Sequence, residues 1–129
     1  MKAGAKERLR ARIVHWAGQL RVQPQRVRIQ TMRRKWGSCS PAGCVTISAD
    51  LVKRPAAFQD FVVVHELLHL RIRNHGKLFH ATLRAHLRGN RWAAACQRDA
   101  VDFVKKGAEI YHKAQRTQGK LGRMPTSVR

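Results

Sequence analysis

The segment HELLHLRIRNH at residues 65–75 places four ionisable side chains among apolar ones. On a helix, residues four apart lie on the same face, so His65 and His69 can direct two imidazole nitrogens at one point about 2 Å from each ring. Glu66 lies about 100° around the helix from His65, which lets it reach a water molecule at that point without binding the metal itself. The spacing predicts an HExxH metal site of the kind found in zinc hydrolases.

A catalytic zinc ion generally has three protein ligands and one open position for water, so a third ligand is needed downstream. His75 can supply it if the chain turns back after Arg73. Asn74 and Gly76 tolerate the left-handed backbone that suits such a turn, and they predict that the helix ends near Arg73. We therefore expect one catalytic zinc ion, held by His75 and the two histidines of the motif.

The alternative without a metal is a pair of buried histidines that bond to backbone carbonyls. It would also bury an ionised Glu66 in the apolar stretch FVVVHELLHL, at a cost of several kcal/mol. The metal hypothesis gives Glu66 a purpose: zinc lowers the pKa of a bound water, and Glu66 accepts its proton as hydroxide attacks a carbonyl. Glu66 then delivers the proton to the leaving amine, so the predicted reaction is peptide hydrolysis.

The surrounding sequence predicts the elements that position these side chains. Apolar residues at three- and four-residue spacings predict helices, alternation predicts a strand, and a Ser-Pro-Ala-Gly turn predicts a hairpin. In chain order, the predicted elements are a basic-faced helix over 5–21, a strand from about 25 to 35, a hairpin whose second strand ends near Ser48, a helix from Pro55 to about Arg73, a helix over 77–88 and a helix from about 91 to 115.

Finer predictions concern single positions in these elements. Asp60 is expected near the N-terminal end of the metal-site helix, where a negative charge is favourable. The inner side of the helix over 77–88 is expected to carry the following four apolar residues: Leu78, Phe79, Leu83 and Leu87. The hairpin supplies the sheet edge along which a peptide could bind as an added strand, with Trp36, Gly37 and Ser38 near the cleft. The equal alternative for Trp36 is that it takes no part in the cleft and is instead a core or lid aromatic.

The length and composition limit the number of domains and the class of protein. The chain has 129 residues, of which 43% are hydrophobic and 26% charged, as expected for a single globular domain. We assign this domain to residues 1–116 and predict a disordered basic tail over 117–129. No apolar run approaches the roughly 20 residues that a membrane span requires, and the N-terminus lacks a secretory signal. We therefore expect a cytoplasmic protein, and its oligomeric state is not predicted.

The charge of the chain is its most unusual global property. It has 27 Lys and Arg residues against 7 Asp and Glu residues, a formal net charge of +20. This predicts an anionic partner such as nucleic acid, or only a solubilising surface. The odd number of cysteines predicts reduced thiols, and Cys39 and Cys44 could form a redox or metal pair across the hairpin or simply pack as small residues.

Residues 33–80 resemble the core of the YgjP-like metallopeptidases, zincin-fold proteins related more distantly to the SprT-like group. The resemblance lies in three stretches in order: WGSCS, a short strand leading to ISADL, and VVVHELLHLRIRNHGKLF. It implies an α+β, zincin-like fold in which a small antiparallel hairpin or sheet packs on an active-site helix with flanking helices. It also implies zinc held by His65, His69 and His75, with Glu66 as general base and acid.

Two features depart from the family pattern. The family favours an aromatic residue, usually Trp, after the Phe of NHxxxF, where this chain has His80. This histidine could take a polar part in the site or replace the aromatic residue by packing. The strand-rich N-terminal portion of larger members is also missing, which removes part of the expected wall of the substrate cleft.

Two other functions remain open from the sequence. The metal could activate water against a phosphoanhydride or phosphodiester such as a nucleoside triphosphate, with the basic surface gathering the substrate. Alternatively, a structural zinc with Cys39 or Cys44 as fourth ligand could support a nucleic-acid-binding module. The residue that stabilises the oxyanion of a peptide substrate is not determined, and Arg73, His80 and Tyr111 are the candidates.

Overall fold

A central helix, α2 (Ala56–Leu68), organises the part of the chain that the computed structural model describes, residues 4–95. Every residue from Phe61 to Leu68 is buried, which explains why this segment is apolar on all sides rather than along one stripe. The neighbours that cover it are helix α1 (Ala5–Leu20), a three-stranded sheet, helix α3 (Lys77–His86) and helix α4 (Arg91–Ala95).

The sheet contains strands β1 (Arg26–Gln30), β2 (Gly37–Cys39) and β3 (Cys44–Ser48) in the order β1-β3-β2. β2 and β3 form the predicted antiparallel hairpin, and Gly43 in its turn has a φ of +94°, a backbone conformation that favours glycine. A short 3₁₀ helix, Ala49–Lys53, then leads from β3 towards α2. The predicted α+β class is therefore confirmed in the described residues.

The prediction for the first strand was wrong in length and in partner. β1 ends at Gln30 rather than near residue 35, and it pairs with β3 in parallel. Residues 31–43 form the crossover that this pairing needs, and β2 lies within that crossover. The alternation in the sequence RVRIQ reveals one half-buried face, but it carries no information about the direction of the partner strand.

The helix boundaries agree with the predictions at most ends. α1 begins and ends within one residue of the prediction, and α3 is followed by Gly89 with a φ of +81°. The prediction for Leu78 was wrong, because its side chain is 66% exposed. Leu78 directly follows the first residue of α3, one position before the buried Phe79, and therefore lies off the inner stripe.

Asp60 has a different role from the one predicted, since it lies beyond the first turn of α2. Its carboxylate accepts a hydrogen bond of 2.6 Å from the guanidinium of Arg12 and one of 2.9 Å from the indole N–H of Trp16. Both donors belong to α1. The carboxylate of Asp60 therefore connects α1 to α2 and does not interact with the N-terminal end of α2.

Several predictions fall outside the described residues. α4 confirms the start of the last predicted helix, but residues 96–115 and the predicted tail over 117–129 lie beyond the described part, as do Cys96 and Tyr111. Within residues 4–95, no helix has both the length and the apolar character that a membrane crossing requires.

Candidate metal centre

The structure brings the three predicted histidines together. His65 lies in α2, His69 directly follows the last residue of that helix, and His75 precedes α3. One ring nitrogen of each lies within 4.8 Å of the others, and the Nε2 atoms of His69 and His75 are 2.9 Å apart. This is a convergence of imidazole nitrogens that could hold a metal ion.

The chain reaches this arrangement by ending α2 earlier than predicted, at Leu68 instead of near Arg73. The backbone N–H groups of His69 and Leu70 donate to carbonyls three residues back, at 3.2 and 3.0 Å, so the last turn tightens. His69 keeps a helical backbone, with φ −63° and ψ −14°. It therefore retains the four-residue relation to His65 that the motif requires, while the following residues turn away.

The predicted mechanism of this turn was wrong. Among residues 4–95, the only residues with positive φ are Arg21, Gly43 and Gly89, so Asn74 and Gly76 do not use a left-handed backbone. Tertiary hydrogen bonds hold the turn instead. The Arg71 guanidinium donates to the carbonyl of Leu20 at 3.3 Å, and Arg73 reaches the sheet. Local propensity could not reveal these partners, which are distant in sequence.

His69 is oriented by a backbone hydrogen bond within the same turn. Its Nδ1 lies 3.1 Å from the carbonyl oxygen of Ile72, so Nδ1–H is the donor and Nε2 carries the lone pair of the neutral ring. That lone pair faces the other two histidines. Metal-binding histidines are commonly fixed in this way, because a bond to the other ring nitrogen selects the tautomer.

Phe79 forms the apolar floor of the cluster. It is fully buried and stacks on His69 with ring centroids 4.7 Å apart, and it contacts His65 and His75 edge-on at 5.1 and 4.8 Å. The sequence predicted Phe79 only as a residue of the inner face of its helix. Two signals of a closer role are its place on the apolar face of the helix that directly follows His75 and its position as the Phe of the NHxxxF pattern.

The surroundings of His65 fit a metal ligand. The side chain is 1% exposed, and neither ring nitrogen has a hydrogen-bond partner among the described residues. Nδ1 approaches Oε2 of Glu66 at 3.4 Å, but this contact does not have hydrogen-bond geometry. Leaving a buried imidazole unsatisfied costs about 1–3 kcal/mol, and a bound cation would remove that cost.

The same burial keeps the ligands in the protonation state that metal binding needs. Desolvation, followed by the charge of His65, lowers the pKa of His69. Desolvation and the neighbouring histidines lower the pKa of His75 to about 4. Both rings are therefore neutral at pH 7, and their lone pairs are available to a cation.

Glu66 is buried beside the histidines but is not one of the three clustered donors. It packs against Gly37 on β2, where an added Cβ atom would lie 2.8 Å from Cγ of Glu66. Such an approach requires a residue without a side chain, which explains the glycine at this position. Of the three residues expected near the cleft, Gly37 thus packs against the side chain of the predicted general base, at its Cγ atom.

Trp36 belongs to the core rather than to a lid. Its side chain is buried, its ring packs edge-on against Phe58 at 5.6 Å, and the guanidinium of Arg54 lies over it at 5.8 Å. Ser38 is half-buried, and its partner across the hairpin is Thr46. Of the alternatives for Trp36, a place near the cleft or a core or lid aromatic, its burial supports the core aromatic.

Arg73, a candidate oxyanion donor, is engaged with the hairpin. Its guanidinium donates to the carbonyls of Cys39 and Ser40 at 3.2 and 3.5 Å and to that of His69 at 3.2 Å. It also lies 3.6 Å from Sγ of Cys39. Arg73 therefore connects the ligand-bearing turn to the end of the edge strand β2.

The cysteines of the hairpin do not pair with each other or join the metal cluster. Both thiols are free, and neither belongs to the group of clustered donors found in residues 4–95. Cys39 pairs with the buried Val45, and Cys44 precedes that residue in β3, so the two thiols lie on opposite faces of the sheet. Burial raises the pKa of the Cys39 thiol, with Arg73 opposing the shift.

His80 packs beside the cluster and makes a polar contact there. Its ring is buried, lies nearly parallel to that of His75 with centroids 6.4 Å apart, and packs edge-on against Phe79 at 5.6 Å. Desolvation lowers its pKa, while a hydrogen bond to the backbone of His75 acts in the opposite direction. These contacts agree with the packing alternative for His80, and a polar part in the chemistry of the site stays a prediction.

Comparison with known proteins places this geometry among metallopeptidases. The family model described as "YgjP-like, metallopeptidase domain" matches residues 1–98. The fold is similar to that in the crystal structure of a metallopeptidase zymogen, jannalysin of Methanocaldococcus jannaschii, with a TM-score of 0.57 and 22% sequence identity over 64% of this chain and 84% of that one. This similarity confirms the predicted zincin-like fold. No curated protein matches the sequence.

Proposed function

The chain belongs to the YgjP-like metallopeptidase family, and from this premise we propose that it is a zinc-dependent enzyme that hydrolyses peptide bonds. The observation that carries the proposal is the convergence of His65, His69 and His75 on one point, beside a buried glutamate. Imidazole nitrogens are suitable ligands for zinc, and three of them leave one position of a tetrahedral site open.

The chemistry of the bound ion in this proposal is that of a Lewis acid, which polarises a carbonyl and makes water acidic near neutral pH. The protein supplies the remaining functions. The bond from His69 to Ile72 and the packing of Phe79 on the rings fix the three donors, so little reorganisation is needed when a cation binds.

Glu66 is the general base of the proposed reaction. Its carboxylate accepts the proton of the attacking water and then delivers it to the nitrogen of the departing amine. Glu66 lies between His65 and Gly37, where the histidine cluster meets the sheet, and this position supports the proposed proton transfer. Burial favours the reaction, because electrostatic interactions in a site with little water are stronger than those in bulk solvent.

The edge strand β2 is the proposed binding site for the peptide backbone. Trp36 and Ser40 are hydrogen-bonded to β3, so by the alternation of an antiparallel ladder the N–H and C=O groups of Gly37 and Cys39 point away from β3. Arg73 binds the carbonyl of Cys39 and marks one end of this edge. A substrate added as a strand beside Gly37 would have its backbone next to Glu66.

The structural-zinc alternative receives less support from this geometry. A structural site usually has four protein ligands, and within the described residues neither Cys39 nor Cys44 joins the histidines. Such a site would also leave the buried Glu66 without a role. Hydrolysis of phosphoanhydrides uses similar metal chemistry, so it is best addressed in the same experiment as peptide hydrolysis.

The test compares the zinc-loaded protein with its Glu66→Gln variant on two substrates, fluorescein-labelled casein and a nucleoside triphosphate. We expect the native protein to cleave casein and the variant to retain zinc while turnover falls about 10²–10⁴-fold, as expected when a general base is lost. Zinc content is measured by plasma mass spectrometry. Glu7→Gln, on the exposed surface of α1, is the matched control and should behave like the native protein.

Two results would overturn the proposal. If Glu66→Gln cleaved casein at the native rate, the general-base role would be wrong. If the native protein released phosphate or pyrophosphate and left casein intact, the substrate would be a phosphate ester or anhydride instead of a peptide.

A further inference from the structure

We infer that the face of the sheet turned away from α2 is a binding surface for the sugar-phosphate backbone of nucleic acid. The inference goes beyond the proposed peptidase activity and rests on a different part of the molecule. It is carried by the register of the three strands, by the exposure of their basic side chains and by the distribution of acidic residues in the sequence.

The register separates the two faces of the sheet. Val45 and Ile47 of β3 are fully buried, so they mark the face that packs on α2. Thr46, which lies between them, projects to the opposite face together with its paired residues Arg28 on β1 and Ser38 on β2. This outer face therefore carries a row of one guanidinium and two hydroxyl groups.

A second cation extends the row along β1. Arg26 lies two residues before Arg28, so the two side chains project to the same face about 6.6 Å apart, and both are exposed. That separation is close to the axial rise of two nucleotides on one strand of DNA, about 6.8 Å. Arginine side chains and hydroxyl groups are the usual donors to phosphate oxygens.

The chain adds three more cations at one end of the sheet. The connection from β1 to β2 passes the C-terminal end of β3, and its residues Arg33, Arg34 and Lys35 are all exposed. Residues 8–49, which include all three strands and this connection, contain no Asp or Glu. The next carboxylate along the chain is Asp50, in the 3₁₀ helix that follows β3. The strands and their connections therefore carry basic side chains and no acidic ones, which favours a positive potential on this part of the molecule.

The composition of the face predicts the type of contact. Modules that read single-stranded bases present aromatic side chains for stacking, whereas the outward-facing positions of the described strands hold none. Trp36, the nearest aromatic residue in sequence, is buried in the core. Binding should therefore depend on phosphate charge and show little dependence on base sequence.

The experiment measures binding of the full-length protein to a fluorescein-labelled DNA duplex of about 20 base pairs by anisotropy over a range of salt concentrations. We expect the logarithm of the affinity to fall linearly with the logarithm of the salt concentration. The double variant Arg26→Gln/Arg28→Gln should bind about tenfold more weakly at about 0.1 M salt, and its salt slope should fall by about 2. A second duplex of unrelated sequence should bind within about threefold of the first.

The control is Lys6→Gln/Arg10→Gln, which removes the same charge from exposed positions of α1. This control should change the DNA affinity less than threefold. Only side chains that contact phosphates contribute to the affinity and to its salt dependence, and the proposed surface does not include α1. Equal losses in the two double variants would overturn the inference, since they would show diffuse attraction to the net charge. A strong preference between the two duplexes, or tighter binding of a polyglutamate chain of equal charge, would overturn it as well.

The same variants separate this inference from the peptidase proposal. Arg26 and Arg28 lie outside the metal centre, so Arg26→Gln/Arg28→Gln should cleave labelled casein at the native rate. Loss of DNA binding with retained cleavage is the expected result. A protein that binds DNA at the sheet but cleaves no peptide would refute only the proposed reaction, and one that cleaves peptides without binding DNA would refute only this inference.

Discussion

The contact between Gly37 and Glu66 joins the sheet to the proposed chemistry at the scale of a single residue. A Cβ atom at position 37 would lie 2.8 Å from Cγ of Glu66 and 3.3 Å from both Cδ1 of Ile47 and the carbonyl oxygen of Thr46. Two of these neighbours are rigid: the carbonyl belongs to the central strand, and Ile47 is fully buried. The carboxylate side chain is the neighbour that must yield.

We therefore predict that Gly37→Ala displaces Glu66 and lowers kcat for casein cleavage about 10²-fold, because a shift of about 1 Å at a catalytic group has an effect of this size. The zinc content should stay near one ion per chain, since the nearest neighbours of the added Cβ are Glu66, Ile47 and Thr46 and not the clustered histidines. The measurements are steady-state kinetics and metal analysis. Gly18→Ala is the matched control, because an added Cβ there meets no atom within 4 Å. Native kinetics in Gly37→Ala would show that the position of Glu66 does not limit turnover.

The site was predictable at the residue scale to the extent that its chemistry lies in local spacing. The positions of the three histidines and the glutamate follow from an i, i+4 relation and one downstream residue, and the structure brings all four together. Gly37 and Phe79 could not be assigned in the same way. Their contacts with the site depend on how β2 and α3 pack on α2, which no short-range pattern encodes.

At the scale of elements, the sequence predicted where helices begin better than where they end. Asn74 and Gly76 predicted that α2 ends near Arg73, but the helix ends at Leu68. The turn after it is held by tertiary hydrogen bonds to Leu20 and to the hairpin. The parallel pairing of β1 was missed for a related reason. Strand direction is decided by the crossover and by long-range packing, while the sequence pattern records only burial.

Arg73 connects the turn that carries His69 to the hairpin through hydrogen bonds. Removing its side chain should therefore lower both the stability of the fold and the zinc affinity. We predict that Arg73→Met lowers the free energy of unfolding by about 1–3 kcal/mol, the usual value for hydrogen bonds from a charged donor, with the lower end favoured by its partial exposure. Zinc affinity should fall about tenfold, since the turn carries two of the ligands. Urea denaturation and competition with a chelator measure the two effects.

The control for Arg73 is Arg84→Met, an exposed position on α3 where the same change should alter stability by less than about 0.5 kcal/mol. A loss of stability in Arg73→Met without any change in zinc affinity would show that the bonds to the hairpin do not position the ligands. Unchanged stability would show that these partly exposed bonds contribute nothing net in water.

At the scale of the whole molecule, the metal centre is a point where separate parts of the fold meet. α2, the turn after it and the segment before α3 each supply one histidine, and Phe79 of α3 packs under all three. The buried and unsatisfied nitrogens of His65 destabilise the native state when no cation is bound. An ion that binds only this native arrangement should therefore stabilise the entire domain.

The size of that stabilisation follows from linkage. Free zinc at about 1,000 times its dissociation constant adds about 4 kcal/mol to the free energy of unfolding, and a domain of this size gains about 4–8 °C in Tm per kcal/mol. We therefore predict that EDTA lowers the Tm of the native protein by more than about 10 °C and that His69→Ala shows no zinc-dependent shift. Glu66→Gln should keep the full shift, because its carboxylate is not among the clustered donors. Calorimetry with and without EDTA measures the Tm of all three proteins. Equal Tm values for the native protein under both conditions would mean that the histidines do not bind the ion in the folded state.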